Sequence, residues 1–349
     1  MVMVSKIRWT RGKKFRLNLS LLLCSIVPAV AGCFDFSKFD ALPDAMSKAE
    51  DMRAAPDLGT APDLATAPDL ATPIVKWFAK PEGADPLYSI WAVSPTELWV
   101  TGASGLLLHS TDGGMSFTSQ SMGDIDLRAI LVIETGDILI AGSGGTLYRV
   151  TGGAWMPPNP PLPNAQSGVQ FNGLAGIATN LYAVGSSGTI LHSTDQRTWA
   201  VLPSVTTKDL HAAWGAGNGL WAVGEAGEVV WTIDGQKWMR EAITTDSLEG
   251  IWGSSPNDIY AVSTGGSVFH STDGQAWTGT SLGTDALHGV WGADSGNVFV
   301  VGDHGTIFRG SNNGWTREAS STTETLRAVR GAGSGATFAV GRGTTLRRQ

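Results

Sequence analysis

From Leu87 onward the sequence repeats a unit of about 40 residues, and a period of that length decides what the chain can become. Each unit opens with a strand of the form Leu-x-x-aliphatic-(Trp)-Gly, at Leu87, Leu127, Phe171, Leu210, Leu248, Leu287 and Leu326. Successive starts lie 40, 44, 39, 38, 39 and 39 residues apart. A second apolar run follows, as in Leu98-Trp-Val-Thr-Gly, Leu181-Tyr-Ala-Val-Gly, Leu220-Trp-Ala-Val-Gly and Val298-Phe-Val-Val-Gly. A short glycine turn leads to a third strand, such as Gly188-Thr-Ile-Leu-His or Gly305-Thr-Ile-Phe-Arg, and a polar turn leads to a fourth. No helical stripe interrupts the pattern. Four short strands per unit predict an all-β chain whose units are the blades of a β-propeller. The 45 glycines and 14 tryptophans suit it, because tight reversals use φ > 0 and short strands need bulky cover.

The aromatics set the expected number of blades. Phe117, Trp155, Trp199, Trp238, Trp277 and Trp315 mark the fourth strand, which gives six for seven opening strands. The last unit stops after its third strand, at 344–349, while an unclaimed aromatic, Trp77, stands in Ile74-Val-Lys-Trp-Phe-Ala-Lys. The expectation is a seven-bladed propeller over 74–349, its last blade closed by the segment around Trp77 pairing beside 344–348. Such closure would remove an open sheet edge.

The turn before the fourth strand reads Ser110-Thr-Asp112-Gly-Gly-Met-Ser-Phe117, Ser193-Thr-Asp195-Gln-Arg-Thr-Trp199, Thr232-Ile-Asp234-Gly-Gln-Lys-Trp238 and Ser271-Thr-Asp273-Gly-Gln-Ala-Trp277. It resembles the Asp-box, or BNR, repeat (Ser-x-Asp-x-Gly-x-x-Trp) of sialidases, other glycosidases, sortilin-type receptors and photosystem II assembly-factor propellers. The first copy matches in full, three are one residue shorter before the aromatic, and 151–155 and 311–315 are degenerate. The resemblance implies the propeller fold and places these turns at the blade periphery. Ser110, Asp112, Asp195, Asp234 and Asp273 are accordingly read as structural, since Ser and Asp side chains accept backbone N–H bonds in tight turns.

Ahead of the repeat the composition changes. Residues 1–32 carry six cations (Lys6, Arg8, Arg11, Lys13, Lys14, Arg16) and no acid, then an apolar run ending Val30-Ala31-Gly32-Cys33. Basic, apolar and small residues in that order form an export signal. Small residues directly before a cysteine resemble the bacterial lipobox, which implies cleavage after residue 32 and lipidation of Cys33. Phe34 follows, not the aspartate that resembles an inner-membrane retention signal, so an outer-membrane anchor in the cell envelope is expected. The only other cysteine, Cys24, lies inside the signal, so the exported body can form no internal disulfide. Residues 33–73 contain Ala-Pro-Asp-Leu-x-Thr three times, at 55–60, 61–66 and 67–72. Proline every six residues blocks helix and ladder alike, so this stretch is read as a spacer.

Without residues 1–32 the chain has 18 basic against 31 acidic residues, a poor match to nucleic acid, where affinity comes from neutralising phosphates. His109, His192 and His270 occupy one repeat position in different blades, which argues against a shared metal site. His304 has no evident partner, and Glu97, Asp137 and Asp258 recur where the second strand begins and read as turn chemistry. One column stands apart. Directly after each opening residue come Tyr88, Arg128, Asn172, His211, Glu249, His288 and Arg327, polar among apolar or small neighbours. One such residue per innermost strand predicts a ring around the central channel, the candidate ligand site. Sialidase-type chemistry lacks its Arg-Ile-Pro segment here, and paired-carboxylate hydrolysis finds only Glu249 in the ring. No catalytic residue and no cofactor are assigned. The sequence is read as a monomeric, non-catalytic, surface-anchored module binding a protein or glycan. An envelope-complex assembly factor and a sialidase-like glycosidase stand as alternatives. The proline-rich stretch between Gly152 and Gly168 is a further contact candidate.

Overall fold

A computed structural model describes residues 77–133, 136–157, 162, 168–177, 179–311, 314–333 and 335–348. The expected export signal, Cys33 and the stretch read as a spacer lie outside them, as does most of the proline-rich stretch after Met156. The described chain is an all-β propeller of antiparallel sheets.

Five sheets have four strands each, and every one runs outward in sequence order from an innermost opening strand. The third of them, for example, comprises Leu210–Ala216, Gly219–Gly224, Glu228–Thr232 and Met239–Ala242. The sixth sheet has six strands, in the order Leu326–Gly331, Thr337–Arg348, Trp77–Ala92, Leu98–Gly102, Leu106–Ser110, Thr118–Ser121. The structure therefore has six blades, not the seven expected. The sequence count treats each opening strand as the start of a separate sheet. Here two long strands fuse what would be the first and last sheets. Trp77–Ala92 pairs with the C-terminal strand along its first half, Trp77 opposite Arg348 and Pro81 opposite Thr344. Its second half pairs with Leu98–Gly102, Ile90 opposite Val100. Hydrogen bonding thus passes through the seam without a free edge.

The opening strands lie side by side in a closed ring, with Leu326–Gly331 returning to Trp77–Ala92. Packing between neighbours follows one device. The Trp214 indole lies where a β-carbon on Gly253 would fall, Trp252 does the same to Gly292, and Trp291 to Gly331. A bulky residue on one opening strand seats on a bare glycine of the next, which accounts for the repeated Trp-Gly.

The Ser-Thr-Asp turns hold themselves. Asp112 accepts the backbone N–H groups of Met115 and Ser116 at 2.9 and 2.8 Å. Asp195, Asp234 and Asp273 each accept two backbone N–H bonds in the same way. Ser110 donates to Asp112 at 2.8 Å. Hydrogen bonds from the Ser116 hydroxyl and backbone, with Ser110, hold the Asp112 carboxyl below the usual carboxylate range. These aspartates are occupied by their own turns.

Two readings need correction. Glu97, Asp137 and Asp258 do more than shape turns: their carboxylates meet His109 (3.3 Å), Arg149 (2.7 Å) and His270 (2.8 Å), twelve residues on. His192 meets Asn180 likewise, at 3.0 Å. The three histidines stack on Trp99, Tyr182 and Tyr260 of the second strand. The register sets each histidine opposite that aromatic, and the side chain two residues before it reaches the imidazole diagonally on the same face, which spacing alone did not reveal. His304, expected without a partner, lies 3.0 Å from Asp285.

Candidate functional site

In every opening strand the ladder slips by one residue just after its first position. Leu87 pairs with Gly102 and Ser89 with Thr101, leaving Tyr88 between them. The same slip leaves out Arg128, Asn172, His211, Glu249, His288 and Arg327. The candidate ring is a ring of β-bulges, and a bulge re-aims the side chain it frees. Its cause is legible: the second strand ends in glycine in six of the seven cases. A β-carbon on Gly224 would lie 1.9 Å from the Asp209 carbonyl oxygen, and one on Gly142 1.9 Å from that of Asp126. The next residue donates its N–H to that same carbonyl, Glu225 to Asp209 and Ser143 to Asp126, both at 2.9 Å. Bare glycine admits the carbonyl, and the carbonyl fixes the bulge.

All seven bulged side chains line one cavity of about 330 Å³ at the channel, joined by Gln170, Asp209, Trp91 and Arg330. One side is cationic and aromatic. Asp126 holds both Arg128 Nη2 (3.1 Å) and the Tyr88 hydroxyl (3.2 Å), and the Arg128 and Arg327 guanidinium groups lie 4.9 and 5.6 Å from the Tyr88 ring centre. Burial and then the Asp126 charge push the Tyr88 phenol up. Asn172 accepts from Gln170 at 2.8 Å and donates to the Leu210 carbonyl at 3.0 Å.

The other side pairs imidazoles with carboxylates. His288 lies 2.9 Å from Asp303, which Thr325 also holds at 2.9 Å. His211 Nδ1 lies 3.2 Å from Glu249, within ion-pair distance but off the hydrogen-bond line. Burial disfavours the His211 imidazolium, yet Glu249 outweighs it and raises the group above its ordinary value. Burial pushes the Glu249 carboxyl up, but His211, His288 and Arg327 together hold it below the usual range.

A pH dependence follows from those two directions. A raised imidazole stabilises the fold below its unfolded pKa, and that contribution is lost as pH rises through the folded one. The lowered carboxyl contributes above its unfolded pKa, and that is lost as pH falls through the folded one. With ordinary values of 6.5 and 4.5, both contributions are full between them. The gap in thermal midpoint between wild type and His211→Gln should be largest near pH 5.5 and shrink by about pH 8.5. A gap constant across that range would show that the pairing does not operate.

Reading one column at a time missed Arg330. Three residues after each ring position stand Trp91, Leu131, Ala175, Trp214, Trp252, Trp291 and Arg330, so a single cation interrupts an apolar series. Comparison within that column would have found it. Arg330 lies over the Trp91 indole, 3.6 Å from the ring centre, and burial brings its pKa down to about 10. Asp209 is a second carboxylate of the cavity that the ring column did not include. Among the described residues no three His, Cys, Asp or Glu side chains gather as a metal set.

The geometry defines the protein as a β-propeller with a polar, partly open channel mouth. No protein-family model matches the sequence, and no curated protein matches it by sequence. Solved structures share the fold. YCF48 bound to a D1 peptide is 15% identical with a TM-score of 0.64, over 78% of this chain and 96% of that one. YCF48 from Cyanidioschyzon merolae is 18% identical, with a TM-score of 0.63, over 78% and 98%. A streptogramin B lyase is 13% identical, with a TM-score of 0.70, over 78% and 97%.

Proposed function

We propose that the protein is a non-catalytic binding module that takes a peptide segment of a protein partner at the mouth of its central channel. The observation that carries this reading is the convergence of seven bulged polar side chains on one cavity. Two features favour a peptide over a sugar. The aromatic faces on which a sugar ring would stack are covered by guanidinium groups, Tyr88 by Arg128 and Arg327, and Trp91 by Arg330. The remaining groups alternate donors and acceptors, as main-chain recognition needs. A structural neighbour with a bound peptide supports the same choice. A hydrolase is disfavoured, because a general acid needs a raised carboxyl and Glu249 is held low. The same reading includes lipidation at Cys33, which would tether the module to the cell envelope.

The test is a binding survey of the purified full chain against an array of random 12-residue peptides and a glycan array. Peptide binding weakened about tenfold or more by Arg327→Gln or Asn172→Ala, and unchanged by Asp234→Asn on the periphery, is the expected result. Glycan binding with a blank peptide array would overturn the peptide reading.

A further inference from the structure

The strongest unexplained group in the molecule is Arg330. Resting on the channel-mouth reading above, we propose that Arg330 is a receptor for a carboxylate group, so that the ligand enters with a carboxylate end foremost.

Three observations converge. First, Arg330 breaks its own column: where Trp214, Trp252 and Trp291 seat on the glycine of the next opening strand, the last opening strand offers a cation. The slot is apolar in the other six opening strands (Trp91, Leu131, Ala175, Trp214, Trp252 and Trp291), so packing there does not require a charge. Second, the cation has no acid. Arg128 and Glu249 have partners in Asp126 and His211, whereas Arg330 and its strand neighbour Arg327 make no ion pair among the described residues. No carboxylate lies within 4.0 Å of Arg330 among the described residues, and its only contact of note is the Trp91 face. A half-buried guanidinium that lies against an indole and has no counter-charge is placed to take an anion that supplies one. Third, the geometry suits a planar oxyanion. A guanidinium over an indole keeps its N–H edge free, and that edge matches the two oxygens of a carboxylate. It faces a cavity of about 330 Å³, large enough for a chain end and too small for a folded element. Arg327, three residues earlier on the same strand, also lines the cavity and adds positive potential on the approach.

The carboxylate could come from the C-terminus of a peptide or from a small free acid, and the probes separate the two. The full chain is titrated with succinate. It is also presented with a random 12-residue peptide array printed twice, once with free C-terminal carboxylates and once with amides. Wild type should bind free-acid peptides at least tenfold better than their amides. Arg330→Gln and Arg330→Trp, the latter restoring the repeat residue, should erase that preference while keeping the wild-type far-UV spectrum. Arg330→Lys, which keeps charge but not the fork, should fall between. Succinate binding that is lost in Arg330→Gln, with both peptide arrays blank, would support the carboxylate site and overturn the peptide reading. Acid and amide peptides bound equally, and equally by Arg330→Gln, would overturn the carboxylate site while leaving the channel-mouth reading intact. No binding to any probe would overturn both.

Discussion

Replacing Trp77 by alanine should destabilise the protein by about 3–5 kcal/mol, the range for truncating a large buried aromatic. The indole is 2% exposed, meets Phe299 edge-on with centres 6.1 Å apart, and packs in one cluster with Leu346, Phe299 and Ile307. Its Nε1 donates to Glu318 at 2.8 Å, the carboxylate that also clamps Arg348 at 2.9 and 3.0 Å. One side chain therefore ties the seam strand, the C-terminal strand and the neighbouring blade. Truncation opens a cavity and removes one of the Glu318 contacts at once. Trp77→Phe, which keeps most of the apolar volume and loses only the N–H, should cost distinctly less. The urea midpoint read by circular dichroism checks both. A Trp77→Ala midpoint within error of wild type would mean that the seam carries little of the stability.

Gly224→Ala should be comparably damaging, on the order of 3 kcal/mol or more, because the added carbon meets backbone that cannot rotate aside. It would fall 1.9 Å from the Asp209 carbonyl oxygen and 2.9 Å from the Leu210 α-carbon. Either the bulge at His211 opens or the strands part. Gly217→Ala makes the control. It stands in open space at φ 62°, so its cost is conformational only, roughly 1 kcal/mol. Thermal midpoints of the two variants separate the mechanisms. Equal, small losses would show that the close approach relaxes without cost.

The fold was legible in the repeat because each strand is short, strongly apolar and punctuated by glycine, so local pattern and global architecture agree. The ring was legible for the same reason: one polar residue in a column of apolar neighbours has to face somewhere wet. The blade count failed because periodicity identifies opening strands but not whether a strand stops between sheets. Nothing in Pro81–Pro86 signals that hydrogen bonding resumes on the far side. The pairing of Glu97 with His109 was also out of reach. Register decides it, and the twelve-residue interval spans two strands and a turn. Arg330 was readable and overlooked, because a charge is conspicuous only against the tryptophans that share its position.

The pairing of Trp77 with Arg348 has a consequence for how the molecule is made. Synthesis delivers the first half of Trp77–Ala92 early, but its partner emerges only after the other blades. Until then that half-strand presents unpaired N–H and C=O groups, and the blades already formed have an unclosed ring. Locking the ring is thus a late event that joins segments of greatest separation in sequence, a step slowed by loop-closure entropy. The interval before it is when the nascent protein is open to joining its exposed edge to a second copy instead of to itself.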